Sequence, residues 1–293
     1  MYRAGIDIGG TQLRAAIFDE DYNIVDIFKT VNDPAKTGAE NMDILLERIN
    51  ASPYPLSGIG IGSPGPLDLK NGLVLNPPNL KGWDNFAIVS YTERKTGLKT
   101  WLNNDANVAG YAEALRGAGK GYDSVVFIGI STGLGGSYVY KGELINGAHS
   151  NASEFYNMIV NDDTYHHRSA NPGSLNETAG GTAMHRIASE RYGRETSTKE
   201  LFDRYDAGDA AAREILEFTS ESLARGIANI FYTIDPDVYV VGGSVAIYHP
   251  WYVEMVKQKA MRYIVADDIL VVPAQFDDDA GLIGAALLVQ EDE

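Results

Sequence analysis

Residues 5–18 read Gly-Ile-Asp-Ile-Gly-Gly-Thr-Gln-Leu-Arg-Ala-Ala-Ile-Phe, which is an apolar run, a Gly-Gly turn and a second apolar run. This pattern predicts two strands joined by a tight turn. Because glycine has no Cβ, the N–H groups of such a turn can approach an anionic ligand closely. Asp7, the carboxylate inside the first run, offers the hard oxygen ligands that Mg²⁺ prefers, directly or through water. The stretch therefore favours a phosphate-binding hairpin, with an ordinary β-hairpin as the alternative.

The same plan recurs at residues 125–140, which read Val-Val-Phe-Ile-Gly-Ile-Ser-Thr-Gly-Leu-Gly-Gly-Ser-Tyr-Val-Tyr. Each copy carries hydroxyl groups beside its glycines, Thr11 in the first and Ser131 and Thr132 in the second. Internal similarity of this kind is evidence about architecture. The two copies predict two related half-sites around one nucleotide.

Composition excludes several classes of protein. The chain has 293 residues, enough for about two domains. Its formal net charge of -16 argues against a nucleic-acid partner, because phosphate backbones are bound by clustered Lys and Arg. The absence of cysteine excludes disulfides and cysteine-ligated zinc. No stretch reaches the roughly 18 apolar residues of a membrane span, and no cationic leader precedes an apolar run, so we expect a cytoplasmic protein without a membrane partner.

Hydrophobic periodicity indicates an α/β chain. Strands are predicted at residues 2–30 (three short runs), 58–62, 98–103, 237–241 and 269–272, and helices at 38–49, 85–96, 106–115, 211–234 and 280–290. The residues of the long helix at 211–234 suit either a core or a dimer surface.

Six motifs, in order and spanning nearly the whole chain, resemble those of the ROK family of sugar kinases and repressors. They are Asp7-Ile-Gly-Gly-Thr11, Gly62-Ser-Pro-Gly-Pro66, Asn76-Pro-Pro-Asn-Leu-Lys-Gly-Trp83, Asn103-Asn-Asp-Ala-Asn107, Ser131-Thr-Gly-Leu-Gly-Gly136 and Val241-Gly-Gly243. The resemblance implies the actin-like ATPase (ribonuclease H-like) fold, with two lobes, each a mixed sheet flanked by helices, and a cleft between them. It implies a small lobe at residues 1–115 completed by the C-terminal helix at 280–293, a large lobe at 116–279, and a homodimer.

Asp105 is the predicted catalytic residue. It follows a predicted strand and begins a predicted helix, a position where Asp is also a favoured N-cap. From the residues alone the cap is the simpler interpretation. The resemblance implies instead that Asp105 is the general base that takes the proton of the attacking sugar hydroxyl.

The resemblance also implies the nucleotide-binding residues. Phosphate and metal contacts are expected from Asp7, Gly9, Gly10 and Thr11 in the first hairpin and from Thr132 and Gly133 in the second. Gly242 and Gly243 end an apolar strand, where a tight turn and contact with the nucleotide are compatible, and the resemblance favours the contact. Gln12 stands where relatives often have lysine, so one cation expected near the phosphates is missing.

The sugar is expected to meet amide, hydroxyl and carboxylate groups, which form several hydrogen bonds each. The resemblance places this role on Ser63, Asn79, Asn104, Asp105, Glu154, Asn157 and Glu177. Asn79 also suits an ordinary turn, and Glu177 an ordinary first helical turn. Trp83 suits either a sugar face or a core.

The segment between Glu154 and Glu177 departs from the family pattern. Similar kinases read Gly-Glu-x-Gly-His and then a cysteine-rich zinc site, whereas this chain reads Ser153-Glu-Phe-Tyr-Asn157 and has no cysteine. Structural zinc is therefore not expected, and packing, hydrogen bonds or Pro172 must hold the loop. The group Asp162, Asp163, His166 and His167 is better interpreted as a solvated loop than as a metal site.

The implied function is an ATP- and Mg²⁺-dependent sugar kinase that phosphorylates a hydroxyl, expected to be the 6-hydroxyl, of a hexose or hexoside. The alternative is a catalytically silent sugar-binding sensor of the same family. A repressor is disfavoured because the helix-turn-helix segment of ROK repressors precedes the first phosphate motif, and here Asp7 lies near the start of the sequence.

Overall fold

The computed structural model describes residues 1–165, 167 and 170–290. The chain forms two compact units. Unit 1 comprises Met1–Gly117, Leu144–Ala152 and Phe276–Glu293, and unit 2 comprises Ala118–Glu143 and Ser153–Gln275.

Unit 1 contains a five-stranded mixed sheet and four helices. Its strands are β1 (Tyr2–Ile8), β2 (Gln12–Phe18), β3 (Ile24–Val31), β4 (Leu56–Ser63) and β7 (Thr100–Asn104), with a separate ladder of β5 (Leu67–Asp68) and β6 (Leu73–Val74). The helices are α1 (Gly38–Asn50), α2 (Ile88–Thr96), α3 (Asp105–Arg116) and α10 (Ala280–Leu287). The sheet order is β3-β2-β1-β4-β7, antiparallel from β3 to β1 and parallel from β1 to β7.

Unit 2 repeats this sheet. Its strands are β8 (Ser124–Ile130), β9 (Leu134–Tyr140), β10 (Glu143–Leu144), β11 (Val238–Gly242) and β12 (Val271–Pro273), in the order β10-β9-β8-β11-β12. Its helices are α4 (Leu175–Ala179), α5 (Gly181–Tyr192), α6 (Thr198–Asp206), α7 (Ala210–Ile234), α8 (Ser244–Tyr248) and α9 (Pro250–Ala260). In both units the Gly-rich hairpin supplies the middle strand, so the repetition seen in the sequence is a repetition of structure.

Helix α10 packs backbone to backbone on the sheet of unit 1. A Cβ on Gly60 of β4 would lie 1.7 Å from the carbonyl oxygen of Ala285, and a Cβ on Gly5 of β1 would lie 2.3 Å from that of Leu282. Glycine at these two strand positions therefore lets the helix approach closely. The helix ends at Leu287, short of the predicted end at residue 290.

Helix α2 differs from its predicted bounds, and helix α7 settles an alternative that the sequence left open. Helix α2 begins at Ile88 rather than at residue 85, because Phe86 pairs with Val74 in an antiparallel bridge that keeps its backbone extended. Helix α7 buries Ile215, Leu223 and Ile230, which makes this face part of the core of unit 2. None of the helices in the described ranges is long and apolar enough to cross a membrane.

Candidate active site

The predicted sites of unit 1 meet at the carboxyl ends of three neighbouring parallel strands. Asp7 is next to the end of β1, Ser63 ends β4 and Asn104 ends β7. The register pairs Asp7 with Gly62 and Ser63 with Asn104. Ligands of open α/β sheets bind at such carboxyl ends. Topology thus brings together residues that are far apart in the sequence.

The first hairpin has a tight and exposed turn. The Gly9 amide donates to the Gln12 carbonyl at 2.9 Å, and Gly10 and Thr11 are exposed. A Cβ on Gly10 would lie 3.2 Å from the carbonyl oxygen of Asn79, so the turn packs against the loop that carries this predicted sugar ligand.

Trp83 is an anchor for this turn. Its side chain is fully buried, and its Nε1 donates to Asn32 Oδ1 at 3.2 Å. Asn32 Nδ2 in turn donates to the Gly9 carbonyl at 2.9 Å. Of the two roles that the sequence left open for Trp83, the structure supports the core role.

Asp7 forms an ion pair that the sequence analysis missed. Arg14 stands opposite Asp7 in the β1–β2 register, and its Nε and Nη2 donate to Asp7 Oδ2 at 3.0 Å and 2.5 Å. Directly opposed residues of an antiparallel pair place their side chains on one face. Once the turn is placed at Gly9-Gly10, counting residues outward along both strands pairs Asp7 with Arg14, so the sequence did contain a signal for this contact.

The N-cap of α3 is Asn104, and Asp105 is the first helical residue. Asn104 Oδ1 accepts from the amides of Ala106 at 2.9 Å and Asn107 at 3.4 Å. Asp105 Oδ1 accepts from Ala106 at 2.8 Å. The capping role that the sequence offered to Asp105 therefore belongs mainly to its neighbour.

The surroundings of Asp105 favour its protonated form. Burial is the largest cause and the negative charge of Asp7 adds to it, and together they raise the pKa of Asp105 to about 6 against the hydrogen bond from Ala106. The side chain nevertheless keeps part of its surface exposed. A carboxyl group that is both accessible and strongly perturbed is typical of a functional site.

A chain of amides fixes the backbone around Asp105. Asn107 Nδ2 donates to Asn103 Oδ1 at 2.9 Å, and Asn103 Nδ2 donates to Asn146 Oδ1 at 2.9 Å. Asn103 and Asn107 are buried, where a satisfied amide network rigidifies its surroundings. Asn146 belongs to the segment 144–152, whose inclusion in unit 1 no local sequence pattern indicated.

Ser63 is the least accessible of the predicted sugar ligands in unit 1. Its side chain is fully buried, and its Oγ donates to the Pro64 carbonyl at 3.2 Å.

The second hairpin rests on the start of α5. The amides of Gly181 and Thr182 donate to the carbonyls of Ser131 at 3.0 Å and Thr132 at 2.8 Å. Ser131 Oγ lies 3.3 Å from Ser244 Oγ at the start of α8. Ser131, Thr132 and Gly133 are exposed, so unit 2 presents a turn rich in hydroxyl groups.

Gly243 has a backbone that requires glycine. Its φ is +84°, and a Cβ there would lie 2.4 Å from the carbonyl oxygen of Ile130. Gly242 ends β11 beside Gly129 of β8. These glycines therefore form a tight turn, at the same carboxyl end of the sheet as Ser131 and Thr132.

Glu177 and Glu154 lie on separate short helical elements of unit 2. Glu177, in α4, is buried, and its Oε1 accepts from Asn176 Nδ2 at 3.1 Å. Asn176 Oδ1 also accepts from the Leu134 amide at 3.0 Å, which joins Glu177 to the second hairpin. Glu154 is the N-cap of a 3₁₀ turn at Phe155–Asn157 and is partly exposed.

Asn157 has a structural partner. Its Oδ1 accepts from the Asn171 amide at 2.7 Å, across the loop between Glu154 and Glu177. The side-chain oxygen of Asn157 is therefore already engaged in a hydrogen bond within the loop.

Other contacts complete the attachment of this loop. The Arg186 guanidinium lies 3.6 Å from the centroid of the Tyr165 ring, and Arg186 Nη2 donates to the Glu177 carbonyl at 3.0 Å. Asn161 Nδ2 donates to Ser222 Oγ at 3.2 Å. A cation–π contact and hydrogen bonds thus hold this loop. Hydrogen bonds were expected from the sequence, whereas their partners and the cation–π contact were not.

The acidic and histidine residues of this loop do not form a metal-binding cage among the residues that the structure describes. Asp162 and His167 are exposed, and His166 lies outside the described residues. Across residues 1–165, 167 and 170–290, no three His, Asp or Glu side chains converge as metal ligands would.

Comparison with known proteins identifies relatives over the full length. The model of the ROK family matches residues 3–292. The chain is 29% identical to a glucokinase of Thermotoga maritima, with 98% of this chain and 96% of the relative covered. It is 31% identical to a beta-glucoside kinase of Klebsiella pneumoniae, with 96% and 94% covered.

Solved structures give the same result. A ROK hexokinase from Thermus thermophilus superposes with a TM-score of 0.91 at 30% identity, with 98% of this chain and 97% of that chain covered. A ROK family glucokinase from Streptomyces griseus, solved with glucose and AMPPNP, superposes with a TM-score of 0.81 at 27% identity, with 98% of this chain and 99% of that chain covered. The predicted actin-like ATPase fold is confirmed by these matches.

Proposed function

The chain belongs to the ROK family and is a carbohydrate kinase, and from that premise we propose that it transfers the γ-phosphoryl group of ATP to the 6-hydroxyl of a hexose or hexoside. The observation that carries the proposal is Asp105, a partly exposed carboxyl group at the end of β7 whose pKa is raised to about 6. Such a group is ionised at neutral pH and basic enough to act as a general base.

Asp105 accepts the proton of the sugar hydroxyl. As the hydroxyl oxygen forms its bond to the γ-phosphorus, the bond from that phosphorus to the bridging oxygen breaks and ADP leaves. Asp105 Oδ1 is held by the Ala106 amide, which fixes the plane of the carboxyl group for this transfer.

Asp7 suits the metal that such kinases use. Its Oδ2 is bound by Arg14, whereas its Oδ1 accepts no hydrogen bond from the described residues. Gly281 lies against this carboxylate, where a Cβ would lie 3.1 Å from Asp7 Cγ, so only glycine fits here without displacing Asp7. Because no cage of protein ligands surrounds Asp7 among the residues that the structure describes, it would hold Mg²⁺ with water and nucleotide phosphates as the other ligands. Bound Mg²⁺ neutralises charge on the β- and γ-phosphates.

The remaining roles follow the two hairpins and their loops. Gly9, Gly10 and Thr11 of unit 1 and Thr132, Gly133, Gly242 and Gly243 of unit 2 would contact the nucleotide. Ser63, Asn79 and Asn104 of unit 1, with Glu154 and Glu177 of unit 2, would contact the sugar. Asn157 would contribute mainly by holding its loop, because its carbonyl is bound to Asn171.

A sugar panel tests the proposal. ADP release is measured with MgATP and glucose, mannose, fructose, N-acetyl sugars or cellobiose, with Asp105→Asn as the matched inactive control. We expect turnover with at least one sugar and its loss in the variant. Clear sugar binding without turnover would favour the silent sensor instead.

A further inference from the structure

The guanidinium of Arg14 joins three elements of unit 1. It binds Asp7 Oδ2 through Nε at 3.0 Å and Nη2 at 2.5 Å, which links β2 to β1. Its Nη2 also donates to the Asp278 carbonyl at 2.5 Å, in the segment that leads into α10. Its Nη1 lies 3.9 Å from Asp279 Oδ1. A planar guanidinium with several donors suits such bridging, whereas an ammonium group would not reproduce it.

Both donors of Arg14 converge on one oxygen of Asp7. This arrangement fixes the rotation of the carboxylate and directs Oδ1 away from the ion pair. The first turn of α10 closes the other side, because Gly281 approaches the carboxylate so closely that a Cβ would lie within 3.3 Å of both of its oxygens. Asp7 is thus held between an arginine and a helix backbone.

The pair is shielded from solvent. The Arg14 and Asp7 side chains are 15% and 17% exposed, so salt screens their attraction less than it screens a surface pair. The surroundings are acidic, because the Asp279 carboxylate lies near the guanidinium and the charge of Asp7 acts on Asp105, whose pKa it helps to raise.

We propose that Arg14 is a positioning residue for the metal site, holding Asp7 so that its Oδ1 faces the Mg²⁺ of the bound nucleotide. The inference rests on the proposed function and names a residue that contacts neither the sugar nor the reacting atoms. Residues that orient a metal ligand typically change metal affinity by about 10- to 100-fold when they are replaced.

A binding cycle tests this role without relying on turnover. ADP affinity is measured by calorimetry with Mg²⁺ and with EDTA for the wild type, Arg14→Gln, Arg14→Lys and a control, Arg94→Gln. The exposed guanidinium of Arg94 contacts Ser90 and the Tyr91 ring of its own helix. The ratio of the two affinities is the enhancement that Mg²⁺ gives. Urea unfolding of each variant checks that it is folded.

We expect the Mg²⁺ enhancement to fall about 10-fold or more in Arg14→Gln and less in Arg14→Lys, with ADP binding in EDTA nearly unchanged. Arg94→Gln should match the wild type. If Arg14→Gln folds and its Mg²⁺ enhancement is unchanged, the inference is overturned while the proposed function stands. If Arg14→Gln does not fold, an unchanged enhancement in Arg14→Lys has the same meaning. An equal loss of affinity with and without Mg²⁺ would overturn it too, since it would show a general charge effect. Failure of the wild type to bind ADP would overturn the proposed function as well.

Discussion

Asp105 shows how its surroundings convert an acidic side chain into a base. Burial and the charge of Asp7 raise its pKa from 3.8 to about 6, although the Ala106 amide favours the ionised form. The sequence placed a carboxylate between a strand and a helix but did not distinguish a cap from a base. The distinction depends on Asn104 taking the cap and on Asp7 lying two parallel strands away in the same sheet, and neither is a local property.

The pH profile of the reaction should report Asp105. Only its ionised form accepts a proton, so kcat/KM for the sugar should fall about 10-fold per pH unit below pH 6 and level off above it. The measurement uses saturating Mg²⁺, which keeps the protonation state of the nucleotide constant. An acidic limb near the ordinary Asp value of 3.8 would show that Asp105 is not perturbed or not the base.

The contribution of Asp105 to the free energy of unfolding should fall as the pH rises, whereas the contribution of a salt-bridged aspartate increases with pH. Because the pKa of Asp105 is higher in the folded state than in the unfolded state, the folded protein binds more protons between about pH 4 and pH 6. This group therefore favours folding at low pH, and that contribution is lost as the pH rises through 6.

Asp105→Asn should accordingly stabilise the ligand-free protein at pH 7.5, by on the order of 1–3 kcal/mol, while its amide oxygen still accepts from Ala106. The advantage should vanish near pH 4. Urea unfolding at the two pH values measures it, and a variant less stable than the wild type at pH 7.5 would show that the ionised carboxylate is well accommodated.

At the scale of elements, the Gly-rich hairpins and the main helices were predictable, whereas the contacts between elements were not. The pattern at residues 5–18 predicts strand, turn and strand because short apolar runs and turn glycines are local signals. The close approach of α10 to Gly60 is not a local signal, since the residues are far apart in the chain. The attachment of the loop before Glu177 could not be predicted either, because it depends on a contact between Tyr165 and Arg186 of α5.

Gly60→Ala should destabilise unit 1. An added Cβ would lie 1.7 Å from the Ala285 carbonyl oxygen, and overpacking of this kind costs about 1–3 kcal/mol or more. Gly97→Ala is the control, because its φ of +72° costs only about 1 kcal/mol and nothing lies within 4 Å of the new methyl group. Chemical unfolding measures the free energy of unfolding of both variants. An equal loss of stability in the two would contradict the close packing of α10.

Tyr165→Ala should loosen the loop that leads to Glu177. A cation–π contact contributes about 0.5–2 kcal/mol, so amide exchange in residues 170–174 should accelerate several-fold and the sugar KM should rise. Tyr165→Phe keeps the ring and should behave nearly like the wild type. Identical exchange in the alanine and phenylalanine variants would show that the ring does not hold the loop.

At the scale of the molecule, one sheet plan is used twice. The orders β3-β2-β1-β4-β7 and β10-β9-β8-β11-β12 match strand for strand, and each has a Gly-rich hairpin at its centre. The repetition was visible in the sequence because both copies keep the turn glycines. The inclusion of residues 144–152 in unit 1 was not visible, since it involves a pairing of Asn103 with Asn146 across the chain. The identity of the sugar was not predictable either, because the residues proposed to contact it are spread over several loops.

The central claim is that Asp105 is the general base of a sugar kinase, and turnover of Asp105→Asn with the best sugar of the panel tests it most directly. Asparagine keeps the shape of the side chain but cannot accept the proton. We predict a kcat lower by about 10²- to 10⁴-fold or more, with sugar affinity measured by calorimetry within a few-fold of the wild type. Near-normal turnover in a folded, sugar-binding variant would contradict the claim.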